Sequence, residues 1–183
     1  YLGNDDLTAK IEVNSNLRPE KGMASSTADI TAAILATTVA LGEEITSEEI
    51  ADLALSIEPT DGLFYDGIVL FDHVKGSRYR YLGEVVDIDI LMLDSGGKVD
   101  TLNFNSRKDL DKLNRKNEPK TNYALELAAE GIKQQKPELI GKGATLSSRA
   151  NQKILAKPYF NELLELTELK GVWGINIAHS GTL

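Results

Sequence analysis

The chain has no cysteine, a single tryptophan and only 6% aromatic residues. Without cysteine it forms no disulfide and offers no thiolate to a metal, which fits a reducing compartment. No apolar run approaches the roughly 18 residues that a membrane-spanning helix needs. The N-terminus also lacks a basic region followed by an apolar stretch, the mark of a secretory signal. We therefore expect a cytoplasmic protein without a membrane partner.

Positive charge is also scarce. The chain carries 20 lysines and arginines against 28 acidic residues, a formal net charge of -8. The phosphate backbone of a nucleic acid would be repelled by this charge, so we expect no nucleic-acid partner. Hydrophobic residues make up 42% of the 183 residues, enough for a buried core in one large domain or two small ones.

The stretch from residue 18 to residue 30 is a turn of small residues that runs into an amphipathic helix, predicted over residues 26–41. Gly22 and Ala24 allow a close backbone approach to a ligand. Ser25 and Ser26 are suited either to the N-cap or to a place beside the first free amides. Such a helix start attracts anions, and phosphate is the usual occupant. An ordinary capped helix is the alternative.

A second candidate site is the turn at residues 56–62, which follows a helix predicted from a capping box at Thr46 and Glu49. The turn carries Glu58 and Asp61, with the hydroxyl of Thr60 between them. Two carboxylates so placed suit Mg²⁺ binding and proton transfer from a hydroxyl. A plain Pro-Thr-Asp-Gly β-turn, with Asp61 bonded to its own backbone, is the alternative.

The segment that includes Pro19 and residues 21–28 resembles the second signature of the GHMP kinases, Pro-x-x-x-Gly-Leu-Gly-Ser-Ser-Ala. Met23, Ala24 and Thr27 depart from that pattern, whereas both serines remain. Within the family, residues 22–30, 56–61 and 70–73 are similar to the L-threonine kinase branch, the PduX type. Residues 100–105, 144–152 and 174–181 are similar to it as well, so the resemblance covers nearly the whole chain.

The resemblance implies a small-molecule kinase that transfers phosphate from ATP, with Mg²⁺, to the hydroxyl of L-threonine, for cobalamin biosynthesis and propanediol utilisation. Another small alcohol such as homoserine is an alternative acceptor, and a non-catalytic ligand sensor of the same fold is an alternative function. A hydrolase that uses Ser25 or Ser180 with His179 and Asp61 is disfavoured, because no nucleophile-elbow sequence is present. The oligomeric state stays open, with a homodimer as one candidate.

The resemblance also implies roles for individual residues. Asp61 would be catalytic, and Ser26 with Glu58 would hold the metal, with Glu49 and Asp52 as rivals for the carboxylate. The phosphate-binding residues would be Lys21, Gly22, Met23, Ala24, Ser25, Ser26 and Thr27. The substrate-binding residues would be Thr60, Asn151, His179 and Ser180. For Asn151, on a helix face of small polar residues, packing in a helix crossing is an equal alternative.

We predict an α+β protein with the GHMP kinase fold. Residues 1–80 would be part of the N-terminal domain, which resembles domain 2 of ribosomal protein S5. Residues 81–183 would be part of a ferredoxin-like C-terminal domain. Because the chain starts at Tyr1 and stops within a turn, we expect a piece of a longer polypeptide, with the family's first signature before Tyr1.

Hydrophobic patterns place the remaining elements. Alternating or continuous apolar residues predict strands at 10–13, 68–71, 85–93 and 172–178, and a polar hairpin-like passage at 75–80. Helical patterns cover residues 122–135, 137–156 and 158–169. His73 is expected in the core at the end of an apolar strand, and the charged run at 108–120 is expected on a solvated face.

Overall fold

The computed structural model describes residues 8–17, 21–77, 79–94, 96 and 107–178. Its order of elements is helix, helix, strand, strand and then three helices, so the described part mixes helix and sheet. The helices are α1 (Ser25–Leu41), α2 (Ser47–Ile57), α3 (Leu110–Gln134), α4 (Pro137–Asn151) and α5 (Phe160–Glu165). The strands are β1 (Ile68–Phe71) and β2 (Tyr79–Gly83), and a short 3₁₀ helix spans Leu166–Glu168.

Helices α1 and α2 confirm the predicted helices. Gly42 ends α1 in the left-handed conformation, at φ 71°, and its amide reaches back to carbonyls of the last turn. At the start of α2 the capping box forms: the Thr46 hydroxyl accepts from the Glu49 amide, and the Glu49 carboxylate accepts from the Thr46 amide at 2.9 Å. The capping box therefore fixes where α2 begins.

Strands β1 and β2 form an antiparallel pair, the one sheet found among the described residues. Strand β1 lies where it was predicted. The passage predicted as hairpin-like provides the turn and the first residues of β2. The rings of Phe64, Tyr65, Phe71 and Tyr79 pack together beside the hairpin, with centroids 4.2 to 5.7 Å apart.

Three predicted strands were wrong in the described part of the chain. Residues 10–13, 85–93 and 172–178 belong to no β-ladder there. In the segment at 85–93, Val86 is buried at 6% exposure, whereas the side chains of Ile90 and Leu91 are 78% and 84% exposed. An alternating pattern selects the face a strand would bury but supplies no neighbour to pair with. These segments therefore have no regular secondary structure in the described part of the chain.

Helices α3 and α4 pack against each other through small residues. A Cβ at Gly143 would lie 2.6 Å from the carbonyl oxygen of Ala124, so only glycine permits this approach. Helix α3 starts at Leu110, before the helix predicted at 122–135, and it includes Pro119. Helix α4 stops at Asn151, before the end of the helix predicted at 137–156. Most side chains of the charged run at 108–120 are exposed, as predicted. Within the described residues, no helix is both long and apolar enough to span a membrane.

Candidate functional site

The start of α1 is built by two residues with positive φ. Gly22 has φ 82°, and Ala24, the N-cap residue, is left-handed at φ 53°. Ser25 is therefore the first helical residue, so of the two places predicted for the serines, the N-cap or beside the first free amides, the structure has the second. The first helical hydrogen bond runs from the Ala28 amide to the Ala24 carbonyl at 3.0 Å. The amides of residues 25–27 consequently have no acceptor within the helix.

The turn after α2 packs directly on this first turn of α1. The Ser26 hydroxyl donates to Glu58 Oε1. The Thr60 hydroxyl donates to Thr27 Oγ1 at 3.0 Å, and the Asp61 amide donates to the same oxygen at 3.1 Å. The two segments selected from the sequence as candidate sites are thus joined by three hydrogen bonds.

The buried centre of this contact consists of Thr27 and Thr60, which are 3% and 1% exposed. The Thr60 hydroxyl is already committed to Thr27, and its amide donates to the His73 carbonyl at 2.9 Å. These hydrogen bonds hold the turn in place, and a substrate contact of Thr60 stays a prediction.

Asp61 has an exposed side chain, and it lines a cavity of about 450 Å³ in front of the hairpin. Leu63, Tyr65 and residues 67–71 supply most of the wall, and His73 closes it. His73 is exposed, so its predicted place in the core was wrong. It stands in the turn after β1, where the strand has already ended.

Glu58 and Ser26 present two oxygen ligands side by side. Mg²⁺ favours such hard donors and is commonly held by one or two carboxylates together with substrate phosphates. Among the described residues, no group of three or more acidic, histidine or cysteine side chains could hold a metal alone. Glu49 is tied into the capping box at the opposite end of α2, about 13 Å from Glu58 along the helix axis. This position removes Glu49 as a partner of Ser26.

Lys21 reaches across the chain to Asp94. Its Nζ lies 3.1 Å from Oδ1 and 3.0 Å from Oδ2 of that carboxylate. The amide of Gly96 donates to the same carboxylate, at 2.9 Å. Asp94 could not be selected from local patterns, because 73 residues separate it from Lys21. This ion pair holds a positive charge near the start of α1.

The turn between β1 and β2 is organised by Asp72. Hydrogen bonds from the Ser77 hydroxyl and the amides of Lys75 and Val74 hold the pKa of this carboxyl below its ordinary value of 3.8. The same turn carries the His73 carbonyl that binds Thr60. On the cavity wall, partial burial raises the pKa of Tyr65, and the charge of Glu48 adds to the shift.

Asn151 lies apart from these residues, at the end of α4. It lines a second cavity, between α3 and α4, so the predicted polar face takes part both in a helix contact and in a cavity wall. His179 and Ser180 lie outside the described residues. Met23 and Ser25 are half-buried at the start of α1, and Ser26 is exposed.

Comparison with known proteins shows which proteins this chain is similar to. Residues 1–65 match the family model described as the GHMP kinases N terminal domain. The chain is 36% identical to the L-threonine kinase of Salmonella typhimurium (strain LT2), over 95% of the chain and 58% of the relative. It is 35% identical to the L-threonine kinase of Citrobacter freundii, over 95% of the chain and 60% of the relative.

The chain thus spans little more than half the length of these two relatives. No solved structure is significantly similar to it. The family match covers the turn before α1, helices α1 and α2, and Asp61. Residues 1–65 are thus similar to the GHMP kinases N terminal domain, and the chain over most of its length is similar to the two L-threonine kinases.

Proposed function

We propose that the chain carries the phosphate-binding and catalytic residues of a kinase that transfers the γ-phosphate of ATP to the hydroxyl of L-threonine. The observation that carries this proposal is the hydrogen bond from the Asp61 amide to the Thr27 hydroxyl, at 3.1 Å. It ties an exposed carboxylate to the first turn of a helix suited to phosphate. The names of the two relatives support L-threonine as the acceptor.

Residues 22–27 would hold the terminal phosphates of ATP. The positive φ of Gly22 and Ala24 shapes the turn, and the amides of residues 25–27 lack helical acceptors. The first turn of α1 contains no acidic side chain, so the positive end of the helix dipole is not neutralised from within the helix. Lys21, positioned by Asp94, would place its ammonium group at the edge of this site as a hydrogen-bond donor.

Ser26 and Glu58 fit Mg²⁺ as a pair of adjacent oxygen donors. When bound, the ion would neutralise charge on the phosphates. Asp61 would orient the acceptor hydroxyl in the adjoining cavity and accept its proton. Thr27 and Thr60 would fix the distance between this carboxylate and the phosphate-binding turn. Positioning and charge neutralisation are the main contributions of a protein to phosphoryl transfer.

The wider architecture is part of the proposal. Residues 1–80 would belong to the N-terminal domain and residues 81–183 to a ferredoxin-like C-terminal domain. The hairpin contacts α3 close to this boundary. Gly83, the last residue of β2, approaches Ile132 of α3 so closely that a Cβ at Gly83 would lie 2.9 Å from the Ile132 side chain. A cytoplasmic location and a role in cobalamin biosynthesis and propanediol utilisation complete the proposal.

The test is a phosphorylation assay of the full-length protein with ATP and Mg²⁺, followed by ³¹P NMR. We expect threonine O-3-phosphate with L-threonine and no phosphorylated product with L-alanine, which has no hydroxyl. L-Serine and L-homoserine test the acceptor pocket. If homoserine reacted and threonine did not, the acceptor would be reassigned within the same mechanism. ATP turnover that is absent with every acceptor would contradict the proposal.

A further inference from the structure

The turn that joins β1 to β2 contacts the loop that carries Asp61. The amide of Thr60 donates to the carbonyl of His73 at 2.9 Å. Thr60 is 1% exposed, so this hydrogen bond lies where it is electrostatically stronger than in water. The Thr60 hydroxyl donates to Thr27 at 3.0 Å. One buried residue next to Asp61 therefore connects the turn between the strands to the start of α1.

The conformation of this turn depends on the carboxylate of Asp72. Its Oδ1 accepts from the amides of residues 74–75, both at 3.1 Å, and its Oδ2 accepts from the Ser77 hydroxyl at 2.8 Å. An aspartate that bonds backbone amides ahead of it in the chain stabilises a turn. The backbone closes the same turn, because the Gly76 amide donates to the Asp72 carbonyl at 2.8 Å. His73 lies within this network, which therefore fixes the direction of its carbonyl.

The turn also packs against α2. Gly76 is left-handed at φ 63°, and a Cβ at this residue would lie 2.7 Å from the Leu55 side chain. Glycine favours both this conformation and so close an approach. Because α2 leads directly into the loop with Asp61, the turn and the loop are both placed by the same helix. The turn therefore has an anchor of its own and does not depend on Thr60 for its position.

The residue after Asp61 is held as closely as the residue before it. A Cβ at Gly62 would lie 2.9 Å from Val69 Cγ2 and 3.1 Å from Phe71 Cβ, so the backbone here lies against β1. The Asp61 amide itself donates to the Thr27 hydroxyl at 3.1 Å. Three consecutive residues of the loop are thus held by the hairpin turn, by α1 and by β1. The Asp61 side chain remains exposed on the cavity wall.

We propose that Asp72 is a positioning residue for phosphoryl transfer: its carboxylate fixes the turn whose His73 carbonyl holds Thr60 and, with it, Asp61. This role rests on the proposed function, in which Asp61 accepts the proton of the acceptor hydroxyl. Asp72 itself lies outside the wall of the cavity beside Asp61, so it acts through the backbone. A misplacement of about 1 Å can slow an enzyme about a hundredfold. Loss of the Asp72 carboxylate therefore lowers kcat and leaves the phosphate-binding turn before α1 in place.

The test compares Asp72→Ala with wild type in the full-length protein, with ATP, Mg²⁺ and L-threonine. Alanine leaves two amides and the Ser77 hydroxyl without their acceptor, so kcat should fall about tenfold or more. The KM for ATP should stay within about twofold, because uniform binding is unchanged. Equal kcat values for Asp72→Ala and wild type overturn the proposal. A higher KM for ATP with an unchanged kcat also overturns it.

Two further variants control for the chemistry of the substitution. Asp72→Asn keeps an oxygen acceptor for the two backbone amides, so it should recover most of the kcat lost in Asp72→Ala. Asp66→Ala removes an exposed aspartate from the loop before β1, outside the cavity wall, and should have the kcat of wild type. A fall in Asp66→Ala as large as that in Asp72→Ala would assign the effect to lost negative charge and overturn the positioning role.

A double variant separates positioning from a general loss of structure. If Asp72 acts through Asp61, adding Asp72→Ala to Asp61→Asn should change kcat by less than about twofold, because residues that act as a unit are not additive. A general loss of structure would lower kcat by the same factor in both backgrounds, and that result overturns the proposal. Asp61→Asn with the kcat of wild type would contradict the proposed function. Asp72→Ala with the kcat of wild type, beside an impaired Asp61→Asn, would overturn the role of Asp72 alone.

Hydrogen exchange of backbone amides, followed by ¹H–¹⁵N NMR, locates the change without reference to activity. In Asp72→Ala the Thr60 amide should exchange about tenfold faster or more, since its acceptor is no longer fixed. Amides of residues 120–130, in the middle of α3, should exchange as in wild type. An unchanged exchange rate at Thr60 overturns the proposal, even where kcat falls.

Discussion

The backbone amide of Asp61 donates to the hydroxyl of Thr27, 3.1 Å away. The same hydroxyl oxygen also accepts from Thr60, so one buried atom fixes two consecutive residues of the turn after α2. Both contacts lie in a part of the molecule that excludes water, where a fixed geometry is retained best. Thr27 therefore sets the position of Asp61 relative to the amides at the start of α1.

Replacing Thr27 tests this positioning. Thr27→Val keeps the shape of the side chain but leaves the Thr60 hydroxyl and the Asp61 amide without their acceptor. We expect a loss of about 1–3 kcal/mol in the free energy of unfolding for each donor left buried without an acceptor, measured by urea denaturation. Thr27→Ser, which retains the hydroxyl, is the control and should recover most of this loss. An unchanged urea midpoint in Thr27→Val would show that the contact carries no stability.

Asp61→Asn tests the catalytic role. The substitution keeps the size of the side chain and removes its ability to accept a proton, so kcat should fall by about 10²-fold or more. Affinity for MgATP, measured by calorimetry, should change little, because Asp61 is expected to act on the acceptor. Asp66→Asn removes an exposed acid from the same loop, outside the cavity wall, and should behave as wild type. Equal kcat values for Asp61→Asn and wild type would exclude Asp61 from the chemistry.

Ser26→Ala and Glu58→Gln test the metal site. Each removes one of two adjacent oxygen donors, so the Mg²⁺ concentration needed for half-maximal activity should rise in both variants. Glu49→Gln is the control for a lost carboxylate on α2. Glutamine at this position still accepts from the Thr46 amide, so the variant should keep the capping box and leave the Mg²⁺ requirement unchanged. A Mg²⁺ requirement that moved only in Glu49→Gln would reverse the assignment.

The pKa of Asp72 gives a prediction in acid. Because Ser77 and two backbone amides favour the carboxylate, the folded pKa lies below 3.8, while the unfolded value is about 3.9. The resulting stability is complete above the unfolded pKa and is lost as pH falls through the folded one. Ser77→Ala should raise the Asp72 pKa, measured by ¹³C NMR titration of the carboxyl group, and Ser77→Thr should preserve it. The assignment fails if Ser77→Ala leaves the titration unchanged.

Local sequence signals predicted the elements that position the site. The capping box at Thr46 and Glu49 fixed the start of α2, and the apolar run at 68–71 fixed β1. Each of these patterns involves only a few consecutive residues, so the element can be predicted without knowledge of any tertiary contact. The glycine and small residues before α1 also indicated its turn, although Ala24, rather than a serine, became the N-cap.

Contacts between distant residues could not be predicted in this way. The pairing of Lys21 with Asp94 and the burial of Thr60 against Thr27 depend on how α1, α2 and the extended segment after β2 pack together. The error at His73 arises at a strand end, since this residue lies two positions beyond Phe71, the last residue of β1. The segment at 85–93 has a strand pattern in its sequence, but the pattern does not specify a pairing partner.

The most direct test of the central claim is paramagnetic NMR of the chain with ATP and Mn²⁺ in place of Mg²⁺. If the start of α1 holds the terminal phosphates opposite Asp61, the amides of residues 24–27 and of residues 58–61 should broaden together. ATP without metal should shift the first group and broaden neither. Broadening confined to other parts of the chain, with both groups unaffected, would contradict the account.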